Sequence, residues 1–483
     1  MLKQLLATKI DSAESVAAHG PGLKRTLGPW GLIGIGIGAV IGGGIFVITG
    51  IAAADHAGPA VILSFVLAAI CSGFTALCYA EFATMIPVSG SAYSYAYATL
   101  GELVAWFIGW NLVLEYGVSA SAVAVSWTGY LLSLLDSMGL HLPASLVDAP
   151  LAFKGGELVA TGAIMNVPAV LLVLALTWLC YVGIRASSGV NMAIVVAKVV
   201  LIVLVIVAGW RFIDTSNWTP FIPAAQGDGV FGWSGVFRGA AMVFFAYIGF
   251  EATSVAAQES RNPQRDMPIS IIATLIICTL LYIAMAAVMT GLTPFDQLGT
   301  REPVVTAIAG HPQLAWLRTI VEVGALLGLS SVVLVMIIAQ PRIFMIMGRD
   351  GMLPPVFAKV HPRYRTPHIN TVITGIGIAI LAAVFPLDVL GDLVSMGTLV
   401  AFIAVCAGVW MLRHTRPELP RPFRVPRVGV ISTLGILSCL FLLLQMNWYN
   451  WVLMAVWTVL GLAIYALYGF RHSALRKADS AGS

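Results

Sequence analysis

The sequence predicts an all-α integral membrane protein with 12 transmembrane helices. Helices 1 and 6 are interrupted, and the first ten are set out as a 5+5 inverted repeat. Three observations carry this. The chain of 483 residues is 59% apolar and 10% charged, whereas a soluble domain carries about 25% charged residues. Its apolar residues fall in long runs, and a spanning helix needs about 20 of them. Two of these runs are broken at corresponding places, the first by Gly42-Gly43-Gly44 and the sixth by Phe245-Ala-Tyr-Ile-Gly-Phe-Glu251.

The runs lie at about 30–54, 59–87, 97–135, 164–183, 187–209, 233–258, 267–291, 314–347, 369–385, 388–412, 428–445 and 449–469. They divide the chain into an N-terminal tail (1–29), a first five-helix repeat (30–212), a second (213–425), spans 11 and 12 (426–470) and a C-terminal tail (471–483). The first tail lacks the apolar core and cleavage site of a signal peptide. Five helices per repeat make the repeats enter the membrane from opposite sides, and broken helices at matching places point to a binding site near the midplane. This repeat is read from pattern, since the halves share no strong identity. Spans 11 and 12 are ordinary apolar helices, open to lipid contact, to dimer formation or to a small membrane partner.

Lysine and arginine set the orientation. With the N-terminus cytoplasmic, 20 of the 26 fall in cytoplasmic tails and loops. Three (Lys154, Arg211, Arg301) lie outside and three (Lys198, Arg238, Arg318) within spans. Both termini are expected inside. The net charge of +4 is then an orientation signal, and no nucleic-acid partner is expected.

All six cysteines lie in apolar runs, at spacings that match neither a disulfide framework nor a metal site. All eight histidines lie outside the apolar cores. No HExxH or GxSxG motif is present, which speaks against an intramembrane enzyme. Gly36 and Gly38 lack the third glycine and preceding strand of a dinucleotide fingerprint. No ring of pore charges marks a channel.

Gly34, Gly38 and Gly42 recur at i, i+4, i+8, a small-residue ridge best read as close helix packing. Three consecutive glycines resist that reading, because neighbours face different sides of a helix. Unwinding is favoured at Gly42–Gly44. Lipid offers the opened backbone no partner, so protein or ligand must fill the gap. The N–H groups of Gly43, Gly44 and Ile45 would begin an outer half-helix and attract an anion. Free carbonyls of Val40, Ile41, Phe245, Ala246 and Ile248 would attract a cation. An α-amino acid zwitterion supplies both charges.

Ionisable residues within spans are costly and usually functional. Lys198 sits midway along span 5, where burial penalises its charged form. It is a candidate for proton coupling, set against a permanently paired structural lysine. Glu251, at the end of the second break, either accepts hydrogen bonds that hold the loop or carries a proton. Glu115 in span 3 and Glu322 in span 8 are weaker candidates, and Glu322 is placed to pair with Arg318 four residues before it. Ser330 and Ser331 would coordinate a cation or bond back to their own helix. Phe245 is either a gate over the substrate or plain packing.

Four stretches carry a resemblance to the amino acid–polyamine–organocation superfamily, in its cationic amino acid transporter-like branch. They are Gly-Ala-Val-Ile-Gly-Gly-Gly-Ile-Phe (38–46), Tyr-Ala-Glu-Phe-Ala-Thr-Met-Ile-Pro-Val-Ser-Gly-Ser-Ala-Tyr (79–93), Glu-Ser-Arg-Asn-Pro-Gln-Arg-Asp-Met-Pro (259–268) and Pro-Arg-Ile-Phe-Met-Ile-Met-Gly-Arg-Asp-Gly-Met-Leu-Pro (341–354). Leu-Glu-Tyr (114–116) is similar to that branch's span 3. The resemblance implies the LeuT-type fold, with spans 1, 2, 6 and 7 moving against 3, 4, 8 and 9. It implies Val40, Ile41, Gly42, Gly43 and Gly44 on the substrate's carboxylate side. Phe245, Ala246 and Ile248 would form the amine side and gate. Lys198 is similar to the span-5 lysine that replaces sodium in proton-coupled members, so the proton is the expected coupling ion and no other cofactor is expected. Met336 stands where cationic-substrate animal members have serine, and a methionine there shortens the side-chain pocket.

The expectation is therefore a proton-coupled symporter of small neutral L-amino acids such as alanine. The alternative on the same fold is an exchanger or a cationic amino acid or polyamine carrier, and a non-transporting sensor stays open. Residues 217–219 form a glycosylation sequon, expected to be unused. Short loops and twelve spans look bacterial, so the expected location is the plasma membrane, as a bacterial inner membrane.

Overall fold

The computed structural model describes residues 27–86, 91–154, 157–183 and 188–474. The expected tails at 1–29 and 471–483 lie outside these residues except for 27–29 and 471–474. Residues 87–90 of the stretch 79–93 lie outside them too.

Every one of the twelve apolar runs is helical. The main helices are α1 (Pro29–Val40), α2 (Val61–Met85), α3 (Glu102–Val113), α4 (Ser119–Ser137), α5 (Val167–Val182), α6 (Ser188–Trp210), α7 (Gly232–Val243), α8 (Pro263–Leu292), α9 (Ala315–Arg349), α10 (His368–Val384), α11 (Leu387–Thr415), α12 (Val428–Leu444) and α13 (Trp448–Ile464). Among the described residues, eight helical stretches are long and apolar enough to cross a membrane, and α1, α5, α10 and α12 are shorter apolar helices. Starts and stops follow local chemistry. Proline opens α1 and α8 at the first helical position, where its missing N–H costs nothing. Asn166 caps α5 by accepting from the N–H of Ala169 at 3.1 Å. Gly183, with φ +80°, ends it in the left-handed conformation that glycine adopts freely.

Two local differences from the sequence reading stand out. The third run does not begin at 97. Ser91–Thr99 is a separate short helix, and Gly101 (φ +94°) turns the chain before α3 starts at Glu102. The loop at 136–163 contains an antiparallel hairpin, Leu151–Lys154 with Glu157–Ala160.

Packing sorts the helices into two groups. α1 and α2 pack with α8, and α7 packs on α2. α4 packs along α9, and α5 along α10, with α9 and α10 also in contact. α6 touches α1, α8 and α9 and so lies between the groups. The buried core runs through both. The outward residues of α6, such as Val200 and Val207, are large and apolar, as a helix facing lipid requires.

Candidate functional site

The site is built where α1 and α7 lose their helical path. α1 ends at Ile41 (φ −74°, ψ 96°), whose N–H still bonds the carbonyl of Ile37 at 2.9 Å. Helical geometry resumes at Gly43 and runs on through Gly44–Ile48 as a wide turn. α7 ends at Val243, tightens through Phe244–Tyr247 and extends at Ile248 (φ −63°, ψ 130°). Gly249, with φ +118°, then turns the chain into the short helix Ala252–Val255.

The breaks touch backbone to backbone. A Cβ on Gly44 would lie 2.3 Å from the Cβ of Ala246 and 2.4 Å from its Cα; one on Gly249 would lie 2.9 Å from the carbonyl carbon of Ala39. No side chain fits at either place. Gly34 and Gly38 do something else. They press against Met192 and Val195 of α6, with Cβ clearances of 2.4 Å and 2.8 Å, the close packing expected of a small-residue ridge. Gly42 is looser, at 3.3 Å from Val332.

The opened backbone is largely re-partnered by two side chains. Lys198 Nζ, on a residue 2% exposed, donates to the carbonyl oxygens of Gly38 at 2.9 Å and Ile41 at 3.1 Å. Gly328 of α9 makes room for its aliphatic stem, 3.3 Å from Cγ. The Tyr282 hydroxyl, from α8, lies 2.9 Å from the carbonyl oxygen of Val40 and 2.9 Å from that of Ala246, so one phenol links both breaks. Tyr130 donates to the carbonyl of Phe46 at 2.7 Å. The N–H groups of Gly42 and Gly43 find no acceptor among the described residues. Of the carbonyls read from sequence as free, those of Val40, Ile41, Phe245 and Ala246 are thus hydrogen-bonded, Phe245 accepting from the N–H of Ile248 at 3.3 Å. Neither Tyr282 nor Tyr130 was foreseen, because an aromatic residue in an apolar run looks like packing.

Phe245 lies over the first break, its Cε1 3.7 Å from where a Cβ on Gly43 would stand, and is 5% exposed. Met336 is buried on α9, one turn beyond Val332. Ser126 of α4, another residue that sequence reasoning missed, places its Oγ 2.9 Å from the same Gly43 position.

Below the second break, Glu251 accepts the N–H of Gly249 at 3.0 Å through one carboxyl oxygen. Its carboxyl faces that of Glu115, from the wide turn Leu114–Val118 between α3 and α4. Both glutamates are fully buried, with the buried Tyr79, Tyr95 and Tyr116 nearby. The remaining sequence candidates resolve locally. Glu322 pairs with Arg318 at 3.0 Å and accepts from Ser133 at 2.6 Å. Ser330 and Ser331 bond back to Leu326 and Gly328 at 2.7 and 2.8 Å. Arg238 pairs with Asp392 of α11, which Asn450 of α13 also reaches at 2.7 Å. Among the described residues, no cluster of His, Cys, Asp or Glu is arranged to hold a metal ion.

Comparison with known proteins identifies the family. The family described as amino acid permease matches residues 27–470. The chain is 45% identical to the branched-chain amino acid permease BcaP of Bacillus subtilis (strain 168), over 94% of this chain and 95% of that one. It is 44% identical to the methylthioribose transporter of the same organism, over 96% and 97%. It is also 36% identical to the vacuolar cationic amino acid transporter 4 of Arabidopsis thaliana, over 85% and 67%. The chain belongs to the amino acid permease family of the amino acid–polyamine–organocation superfamily, a family of membrane transporters.

Proposed function

We propose that this chain is a secondary active transporter that carries small neutral L-amino acids, such as alanine, together with protons by alternating access. The observation that carries the reading is the pair of facing helix breaks with a buried lysine on one of them. The unpartnered N–H groups at Gly42 and Gly43 stand at the start of a half-helix, which favours a carboxylate. Gly44 completes that side. The ammonium goes to the carbonyl side formed by Phe245, Ala246 and Ile248. The ring of Phe245 closes over the substrate, and Met336 limits the side chain.

Coupling follows from Lys198. As a cation it holds the carbonyls of Gly38 and Ile41 through charge-assisted hydrogen bonds, which are about twice as strong as neutral ones. Loss of its proton weakens that hold and frees the end of α1 to move. Glu251 and Glu115 form a second place for a proton, beside the other break. The hydroxyls of Ser330 and Ser331, turned back to their own helix, favour protons over sodium. The helices α1, α2, α7 and α8 then rock against α4, α5, α9 and α10, as a 5+5 inverted repeat of the LeuT type requires. Twelve crossings, cytoplasmic termini and a bacterial inner membrane complete the reading.

The test is uptake of radiolabelled L-alanine into proteoliposomes with an inward proton gradient and no sodium, for wild type and Lys198→Ala. Accumulation in wild type that is lost in the variant is expected. Uptake of arginine with alanine excluded would overturn the substrate class. The cationic transporters among the relatives favour a second reading, a cationic amino acid carrier or exchanger. Counterflow indifferent to the proton gradient would support it. The branched-chain relative makes isoleucine the first competitor to add.

A further inference from the structure

We infer that the start of α8 carries a binding site for one anionic glycerophospholipid. A groove of about 550 Å³ runs along one face of this helix, lined by Ile269, Ile272 and Ile276 and walled on the other side by Pro422 and Phe423 of the segment between α11 and α12. The three isoleucines recur at i, i+3 and i+7, so they form a single stripe. Ile269 and Ile276 are 42% and 53% exposed, open on the side where an apolar helix meets acyl chains. Arg265 lines the groove at its polar end.

The charge at this end is positive and unspent. Arg413 and Arg421 are taken by Glu81, at 2.7 and 3.4 Å. Arg265 and Arg424, the latter directly after Phe423, are exposed and pair with no carboxylate among the described residues. Arg265 also stands in the first turn of a 30-residue helix, whose N-terminus favours a phosphate. Asp266, the acidic residue of that turn, is buried and accepts from Ser260 and from the N–H of Asn262, so it does not face the groove. An apolar channel with the free guanidinium of Arg265 at its end, and Arg424 next in the chain to the Phe423 wall, matches an acyl chain below a phosphate. Free phosphate would leave the isoleucine stripe unused, and a neutral lipid would leave the arginines unused. Basic pockets of this kind between membrane helices take anionic headgroups.

The test is native mass spectrometry of the purified full chain in detergent, titrated separately with palmitoyl-oleoyl phosphatidylglycerol and phosphatidylcholine. Wild type is expected to retain one phosphatidylglycerol in preference to phosphatidylcholine. Arg265→Gln and Arg424→Gln should each weaken phosphatidylglycerol about fivefold and leave phosphatidylcholine unchanged. Ile272→Trp fills the groove and should reduce both lipids. It remains decisive if an arginine variant does not fold. Equal retention of the two lipids by wild type, or retention untouched by Ile272→Trp, would overturn the site. A co-purifying small membrane protein that leaves on Ile272→Trp would overturn it as well, by naming a different occupant.

Discussion

Lys198 Nζ lies 2.9 Å from the carbonyl oxygen of Gly38 and closes the cut end of α1. In an unbroken helix that carbonyl would accept from the N–H of Gly42, and the carbonyl of Ile41 from Ile45. The lysine supplies both missing donors from a different helix. Lys198→Met keeps the length and removes the donors, leaving two buried carbonyls short at about 1–3 kcal/mol each. A lower melting temperature of the purified protein is expected. Alanine counterflow should persist while gradient-driven accumulation disappears. Undiminished accumulation in this variant would move coupling elsewhere.

Tyr282 spans the two breaks with a single hydroxyl. One O–H faces two carbonyls, Val40 and Ala246, so the donor is shared and both breaks depend on its position. Tyr282→Phe removes only the oxygen. The expected stability loss is about 1–3 kcal/mol, with a severalfold higher KM for alanine and an unchanged dependence on the proton gradient. A KM equal to wild type would mean that the breaks are held without it.

How much of this was legible beforehand depends on the residue. The glycine triplet was readable because three adjacent glycines have no packing account, and Lys198 because a central intramembrane charge needs a reason. Glu322 and Arg318 were readable as an i, i+4 pair. The contact of Gly44 with Ala246 was not, since it joins two distant segments that look ordinary apart. Arg238 was an isolated charge within a span until folding brought Asp392 of α11 to it. Tyr282 gave no signal, because its value lies in where its hydroxyl ends, a property of the tertiary fold and not of spacing.

The glycines of the first break should answer unequally. Gly44→Ala puts a methyl into the backbone of Ala246, and nothing flexible stands there to give way. Overpacking of that kind costs about 1–3 kcal/mol, and transport should be lost. Gly42→Ala meets only a Val332 methyl at 3.3 Å and should keep measurable uptake. Equal tolerance at both positions, in uptake and in thermal melts, would contradict the close approach of the breaks.

Glu251 has two separable duties. As an acceptor it holds the N–H of Gly249 at the turn; as an acid it faces Glu115. Glu251→Gln keeps an acceptor and removes the acid, so it should fold normally yet change the pH profile of uptake. Glu251→Ala loses both and should be less stable by about 1–3 kcal/mol. With Glu115→Gln and the double variant, thermal melts form a cycle, and contact between the carboxyls predicts a coupling of about 0.5–3 kcal/mol. Additive melts would separate the two acids.

Met336 offers the sharpest choice between packing and substrate contact. It lies four residues after Val332 on α9, on the face that meets the first break at Gly42. If its side chain were only core, Met336→Ala would cost about 2–5 kcal/mol and leave selectivity alone. If it borders the space for the substrate's side chain, the lost volume becomes available to larger amino acids. The expected outcome is a stability loss below that range, together with stronger competition by leucine and isoleucine against labelled alanine uptake. Arginine should still compete poorly, because removing a methionine adds no carboxylate to meet a guanidinium. A large drop in melting temperature with the competition order unchanged would return Met336 to the core.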